Sequence, residues 1–169
     1  MSDKPKPTVE WFTPRTLHRE WGKEIIVAET PTHMAKILKM RAGTKGGLQY
    51  HVKEECHYLV SGTLRLRWDD GSGALQEKIV TDGTAWRVPP GAVHQEEAVT
   101  DAITFEVGDP LLNDRVRVEA DYGLASVAGL DSQSAEAAAT KLTALAESLR
   151  LRGLACDQWA TDIRRRGTT

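Results

Sequence analysis

Short apolar runs separated by glycine-bearing turns fill the middle of the chain. The runs are rich in Val, Ile, Leu, Thr and Trp, which are residues typical of β-strands. The predicted strands cover residues 24–28, 35–40, 48–51, 57–60, 63–68, 76–81, 84–88 and 102–107, with a candidate ninth strand at 115–119. Short strands at nearly even spacing, without helices between them, predict an all-β fold that is a two-sheet jelly roll or a small barrel.

One connection between these runs predicts how the strands pair. Residues 69–73 read Asp-Asp-Gly-Ser-Gly, and Asp and Gly tolerate the positive φ angles that a hairpin turn requires. We therefore expect the strands on either side of this turn to pair antiparallel.

The apolar period changes to 3.6 residues in the last part of the chain. A helix is predicted at 134–152, and one of its faces carries the small and aliphatic side chains Ala135, Ala138, Leu142, Leu145 and Leu149. A second, short helix is predicted at 157–166. The apolar face predicts that the extension covers one sheet or a dimer seam, so a homodimer is one expected assembly.

The chain length predicts a single main domain. A chain of 169 residues is typical of one domain with an appendage. Prolines at positions 5, 7 and 14 predict an irregular N-terminal arm. The expected division is an arm at 1–18, a β-domain at 19–123 and a helical C-terminal extension at 124–169.

Charge and N-terminal composition exclude two classes of partner. The 22 Lys and Arg residues against 24 Asp and Glu give a net charge of −2, without the cationic excess of nucleic-acid-binding proteins. The chain has no secretory signal pattern and no apolar stretch of membrane-spanning length. Cys56 and Cys156 are interpreted as free thiols. These features predict a cytoplasmic protein with no nucleic-acid or membrane partner.

Spaced polar residues mark two segments, GTKGGLQYHVKEECHYLVSG at 43–62 and GTAWRVPPGAVH at 83–94. The segments resemble the two signature motifs of the cupin superfamily. The positions that match the spacing of the first motif are Gly43, Gln49, His51, Glu55 and Gly62, with Gln49 in place of the first His. The positions that match the second motif are Gly83, Pro89, Gly91 and His94. The resemblance implies a single cupin jelly-roll barrel, followed here by the helical extension.

The flanking sequence is similar to the cupin domain of type II mannose-6-phosphate isomerases and their short single-domain relatives. The shared segments are REWG at 19–22, GLQYH at 47–51, SG at 61–62, VPPGAVH at 88–94 and VRVEADYG at 116–123. This chain lacks the arginine that the isomerases carry before the metal-binding Glu, and Leu124 replaces the arginine after their Tyr-Gly pair. The resemblance implies one divalent metal ion held by Gln49, His51, Glu55 and His94.

The strand pattern is compatible with this ligand set. Gln49 and His51 are two residues apart on a predicted strand, so their side chains share one face. Glu55 follows across a tight turn, and His94 comes from a separate hairpin. An amide oxygen, two imidazoles and a carboxylate suit a borderline divalent ion such as Zn, Mn, Fe, Co or Ni.

Four further residues are candidates for substrate chemistry. Strand alternation places His57 on the face of Glu55, where it is a general base or acid, or else a polar wall residue. Glu96, two residues after the last candidate ligand, is a second candidate base. Lys53 either contacts an anionic substrate at the barrel mouth or is a solvated turn residue. Arg117 either binds a substrate carboxylate or phosphate or forms a strand-edge ion pair.

Three aromatic residues on the predicted strands are interpreted as part of the core. Trp68, Trp86 and Phe105 lie in apolar runs, and aromatic side chains contribute large buried areas. The alternative is that they stack on a sugar.

The resemblance and the candidate residues together predict a function class. We expect a metal-dependent enzyme that acts on a small polar molecule, namely an isomerase or epimerase of a sugar or sugar phosphate, with His57 moving a proton beside the metal. The alternative is an iron dioxygenase, because His51, Glu55 and His94 match its two-histidine, one-carboxylate triad. A non-catalytic sugar-binding or interaction module is a third class, because fold alone does not determine function.

Overall fold

The computed structural model describes residues 8–127, 134, 136–141, 143–147 and 150. The strands within them are β1 (Arg15–Arg19), β2 (Gly22–Glu29), β3 (Met34–Met40), β4 (Gln49–Tyr50), β5 (Glu55–Ser61), β6 (Thr63–Asp69), β7 (Leu75–Thr81), β8 (Ala85–Val88), β9 (His94–Ala98), β10 (Ala102–Gly108) and β11 (Val116–Arg117). A 3₁₀ helix at Glu119–Tyr122 follows.

The strands form two antiparallel sheets. The first sheet has the order β1-β2-β3-β10-β5-β8, and the second has the order β11-β4-β9-β6-β7. The hairpin predicted at residues 69–73 joins β6 and β7, which pair antiparallel. Because the chain passes repeatedly from one sheet to the other, the sheets enclose a jelly-roll interior. The prediction of an all-β jelly roll is confirmed.

Two strands were not predicted, and both have polar sequences. β1 reads RTLHR and pairs with β2 inside the segment interpreted as an arm. β9 reads HQEEA, and its inward residues His94 and Glu96 face the candidate site, whereas only Ala98 at its end reaches the apolar core. In both strands the cross-strand hydrogen bonds outweigh the lack of an apolar pattern. The predicted strand at 115–119 is shorter than expected, because Glu119 begins the 3₁₀ helix.

The apolar core fills one end of the barrel. It consists of Trp21, Leu38, Met40, Leu59, Leu64, Val80, Ala98 and Ala102. Towards the other end, the inward positions of the same strands become polar, with Lys36 in β3, Glu55 and His57 in β5 and Glu106 in β10 all buried. Buried charges need partners or bound ions, so this end of the interior is where a site is expected.

The aromatic residues divide between the core and the surface. Trp86 packs against the core cluster, as predicted. Trp68 is 36% exposed and Phe105 is 39% exposed, so the core prediction is wrong for these two. Phe105 lies between the buried residues Thr104 and Glu106 on β10 and therefore faces outward. Trp68 faces inward, but at the open end of β6.

Part of the C-terminal extension is helical and packs against the barrel. Residues 136–141 and 143–147 are helical, and Ala138 and Leu145 are buried as predicted. The Lys141 ammonium donates hydrogen bonds to the carbonyls of Leu112 and Asn113 at 3.2 and 2.6 Å. No helix in the described part of the chain is long and apolar enough to cross a membrane. The predictions that fall outside the described residues concern Ala135, Leu142, Leu149, Cys156 and the helix at 157–166.

Candidate metal and active site

The four predicted metal ligands come from both sheets. In the second sheet, Gln49 of β4 is the direct partner of His94 in β9, so the two side chains point to the same face. His51 follows β4 by one residue, and Glu55 is the first residue of β5 in the first sheet. Gln49, Glu55 and His94 line one polar cavity of about 80 Å³ inside the barrel.

Three of these residues form a compact cluster. His51 Nε2 lies 2.8 Å from Glu55 Oε2. The imidazole rings of His51 and His94 meet edge to face, with centroids 4.8 Å apart. One ligand atom from each of His51, Glu55 and His94 lies within 4.8 Å of the other two. A single ion can therefore contact all three residues.

The hydrogen bonds of the two histidines direct their Nε2 atoms to this cluster. His51 Nδ1 lies 2.9 Å from the Lys53 carbonyl, and His94 Nδ1 lies 2.9 Å from the Ala92 carbonyl. A carbonyl only accepts, so each Nδ1 carries a proton, and the Nε2 atom of each ring is left to bind an ion. Burial, together with His51, lowers the pKa of His94 to about 4, which keeps its ring neutral near pH 7.

The donor set fits a divalent cation. His51 Nε2 is buried and has no hydrogen-bond partner among the described residues, although Glu55 Oε2 is 2.8 Å away. A metal ion bound by both atoms accounts for this short approach, as a proton between them also would. Ligand atoms bound to one ion at about 2.1 Å are separated by roughly 3 Å when they are neighbours in its coordination shell, which matches this distance.

Lys53 is buried against Glu55 instead of facing a substrate at the barrel mouth. Its Nζ lies 2.6 Å from Glu55 Oε1 and 3.7 Å from the buried Asp114 carboxylate. Only 2% of Lys53 is exposed. Burial raises the pKa of Glu55, but Lys53 and the two neighbouring histidines outweigh it, and the pKa lies well below its usual value. The carboxylate is therefore ionised.

His57 and Glu96, the two candidate proton-transfer residues, face each other in the interior. His57 Nδ1 lies 3.5 Å from Glu96 Oε1, and His57 Nε2 lies 3.4 Å from Glu55 Oε2. Neither ring nitrogen has a hydrogen-bond partner in the described part of the chain. Burial lowers the pKa of His57, but the nearby carboxylates outweigh it and raise the pKa to about 9. Burial raises the pKa of Glu96.

Arg117 forms the strand-edge ion pair that the sequence left open. Its Nε lies 3.0 Å from Glu119 Oε1, and its Nη1 donates to the Val127 carbonyl at 2.7 Å. Glu119 also accepts the backbone N–H of Leu48, one residue before the candidate ligand Gln49. In this arrangement Arg117 supports the β4 backbone from outside the polar cavity.

Five charged residues at or beside the same cavity were not predicted as site residues from the sequence, namely Arg19, Glu24, Lys36, Glu106 and Arg115. All but Lys36 line the cavity directly, and Lys36 donates to Glu106 Oε1 at 2.6 Å. Glu24 accepts hydrogen bonds from Arg19 at 2.8 Å and from Arg115 at 2.9 Å. A signal existed for two of them, because Lys36 and Glu106 occupy inward positions of otherwise apolar strands.

Comparison with known proteins supports the fold. Residues 36–108 match the family model of the Cupin domain, whereas no curated protein matches the chain significantly. Among solved structures, an RmlC-like cupin from Shewanella frigidimarina is 22% identical, with 59% of this chain and 88% of that chain covered and a TM-score of 0.50.

Two longer proteins contain a similar domain. The capsular polysaccharide assembling protein CapF from Staphylococcus aureus is 19% identical, with 63% of this chain and 32% of CapF covered and a TM-score of 0.57. Oxalate decarboxylase from Bacillus subtilis is 18% identical, with 78% of this chain and 41% of that chain covered and a TM-score of 0.59. The chain thus spans well under half of either protein. The family match and the two antiparallel sheets together show a cupin-type jelly-roll fold, with residues 36–108 as the part that matches the Cupin domain model.

Proposed function

We propose that this protein is a metal-dependent enzyme that isomerises or epimerises a sugar or sugar phosphate. The observation that carries the proposal is the position of His57. Its ring is buried beside the candidate ligand Glu55 and lines the polar cavity, and neither ring nitrogen has a hydrogen-bond partner among the described residues. A buried base next to a cation site is the arrangement that proton transfer between neighbouring carbons requires.

The chain's own residues divide the chemistry between them. Gln49, His51, Glu55 and His94 would hold the ion, which supplies Lewis-acid polarisation of substrate oxygens when bound. His57 takes a proton from one substrate carbon and returns it to the next. Glu55 and Glu96 lie 3.4 and 3.5 Å from the two imidazole nitrogens and stabilise the imidazolium that forms when the ring takes up that proton. Only 5% of His57 is exposed, which keeps bulk water from the ring.

The sugar substrate is supported by the resemblance to type II mannose-6-phosphate isomerases. That resemblance includes the closing segment VRVEADYG at 116–123, which contains β11 and the start of the 3₁₀ helix. In this structure, Arg117 of that segment supports the strand that carries Gln49. The phosphate contacts that Lys53 and Arg117 were candidates to provide are replaced by internal ion pairs.

Hydrogen exchange tests the reaction class directly. The metal-loaded protein is incubated under argon in deuterated water with a panel of aldoses, ketoses and their phosphates. We expect deuterium at the carbon next to the carbonyl of one substrate. The His57→Ala variant should lose about 100-fold in exchange rate and keep its metal, whereas the exposed-residue control His33→Ala should match the unmodified protein. Absence of exchange across the panel contradicts the proposal.

A specific observation favours the iron dioxygenase as the second candidate. His51, Glu55 and His94 form the compact cluster, and two histidines with one carboxylate are the ligands of non-haem Fe(II) oxygenases. Oxygen uptake with Fe(II) and a small-molecule substrate, in the absence of sugar exchange, would establish this alternative. A protein that binds sugars without either activity belongs to the non-catalytic class.

A further inference from the structure

Each of the two histidines that line the cavity has a tryptophan as its cross-strand partner. In the first sheet, His57 is paired with Trp86, and the two rings stack with centroids 5.0 Å apart and planes inclined by 4°. In the second sheet, His94 is paired with Trp68. Directly opposed residues point to the same face of a sheet. Both indole rings therefore flank the candidate site, one from each sheet.

The two tryptophans line a second and larger cavity. This cavity has a volume of about 420 Å³ and also reaches His94 and Glu96. Its lining is mainly apolar and includes Leu66, Trp68, Val80, Trp86, Val88 and Val93, a set we call the tryptophan cleft. Pockets for small ligands typically have volumes of about 300–1,000 Å³ and apolar walls. The cleft therefore has room for the body of a small substrate.

The two cavities offer different chemistry. The polar cavity of about 80 Å³ contains Gln49, Glu55 and His57, and it holds little more than the reacting atoms. His94 and Glu96 line both cavities, so the cavities adjoin at the candidate metal ligand. A molecule with its oxygen-bearing edge in the polar cavity would place its remaining atoms in the tryptophan cleft.

Trp68 has an exposed aromatic surface that core packing does not explain. It has the same strand parity as Leu64 and Leu66, which face the core, yet 36% of its surface is exposed. Trp86 already uses one ring face for stacking on His57. Aromatic surfaces of this kind bind flat rings by stacking and by contact with C–H groups.

We propose that the tryptophan cleft binds a ring-shaped substrate through the apolar face of its ring, with adjacent oxygens on the ring edge directed to His57 and the metal ligands. This inference rests on the proposed function, because it names the substrate of the same site. Cyclic sugars and catechol-type aromatic rings both combine an apolar face with adjacent oxygens. They correspond to the isomerase and dioxygenase alternatives, and binding distinguishes between them.

The test is ligand binding to the zinc-loaded full chain, because zinc supports no redox turnover. Methyl α-D-glucopyranoside, a locked sugar ring, and catechol are titrated separately by calorimetry and by saturation-transfer NMR. We expect one of them to bind, with affinity reduced about tenfold in Trp68→Ala and largely restored in Trp68→Phe, since a stacking contact contributes up to about 1.4 kcal/mol, which is a factor of ten in affinity. Trp11→Ala removes a tryptophan that is 92% exposed and serves as the matched control.

The outcomes separate this inference from the proposed function. Unchanged affinity in Trp68→Ala, with full zinc content, overturns the cleft as the ring site, and so does failure of both probes to bind. Trp68-dependent binding without hydrogen exchange or turnover supports the cleft and counts against the isomerase. Turnover of a ring substrate with an unchanged KM in Trp68→Ala supports the enzyme and overturns the cleft.

Discussion

The Nζ atom of Lys53 lies 2.6 Å from Oε1 of Glu55, deep in the barrel. The other carboxylate oxygen, Oε2, faces His51 at 2.8 Å. Lys53 therefore engages one oxygen of Glu55 and leaves the other for a metal ion. Asp114 positions the lysine by accepting its backbone N–H at 3.2 Å. The carboxylate is thus oriented before any ion binds, which reduces the cost of assembling the site.

Replacing Lys53 should destabilise the metal-free protein more than the metal-loaded protein. Lys53→Met leaves Glu55 and Asp114 buried without their cation, which typically costs about 3–5 kcal/mol. A bound divalent ion compensates part of this loss through Glu55. Urea unfolding with and without Zn²⁺ measures the loss of unfolding free energy in the metal-loaded and the metal-free protein. The exposed Lys39 provides the control Lys39→Met, and equal stability of the two metal-free variants would contradict the prediction.

Metal content should depend unequally on the four ligands. His51→Ala or His94→Ala should abolish stoichiometric binding, because each removes an imidazole directed at the cluster. Gln49→Ala should weaken binding less, since an amide oxygen is the poorest donor of the set. Elemental analysis of protein purified without chelator checks these values, with His33→Ala as an exposed control. Full metal content in a His51/His94 double variant would exclude the site.

Glu24 should make stability depend on pH. Burial raises the pKa of Glu24, but Arg115, Lys36 and Arg19 outweigh it, so the folded-state pKa lies below the ordinary value of 4.5. A carboxyl with a lowered folded-state pKa contributes stability above its unfolded-state pKa and loses that contribution as the pH falls through the folded-state value. The free energy of unfolding of the unmodified protein should therefore exceed that of Glu24→Gln by its full amount near pH 7, and the difference should decline below about pH 4.5.

Denaturant unfolding between pH 3 and pH 7 measures this difference. Glu29→Gln is the matched control, because Glu29 is exposed and pairs only at the surface with Arg15, at 2.9 Å. If the free energy of unfolding differs between Glu24→Gln and the unmodified protein by the same amount at every pH, Glu24 acts through packing and not through its charge.

A protein truncated after Gly123 should keep the barrel and its metal. The eleven strands of the described residues and the four predicted ligands all precede this residue. The truncation removes the buried Ala138 and Leu145 and exposes the apolar surface beneath them, so it should lower solubility or change the oligomeric state. Circular dichroism, metal analysis and sedimentation test these expectations. If the truncated protein is unfolded at room temperature, the extension is part of the core and the prediction is wrong.

The sequence predicted the strands of the barrel wherever apolar and polar residues alternate along the chain. Alternating apolar residues identified β3, β6, β7 and β10 to within a residue or two at each end. β1 and β9 have polar sequences and were not predicted, because their stability comes from backbone pairing with neighbouring strands. The predicted ligand positions came from the spacing of the two motifs. Residues that are two positions apart on a strand have side chains on the same face.

The sequence by itself determined which side chains of a strand share a face, because alternation along a strand is a local property of the backbone. Only the tertiary structure decided which inward side chains meet. The pairing of Lys36 with Glu106, of His57 with Trp86 and of His94 with Trp68 depends on the sheet register. The contact of Lys53 with Asp114 depends on how two loops pack together. Register joins residues that are up to 74 positions apart, as Met34 and Gly108 are. Such contacts depend on how buried charges pair and on how side chains pack across the whole barrel. Neither produces a periodic pattern within a single segment, so the contacts could not be predicted from the sequence.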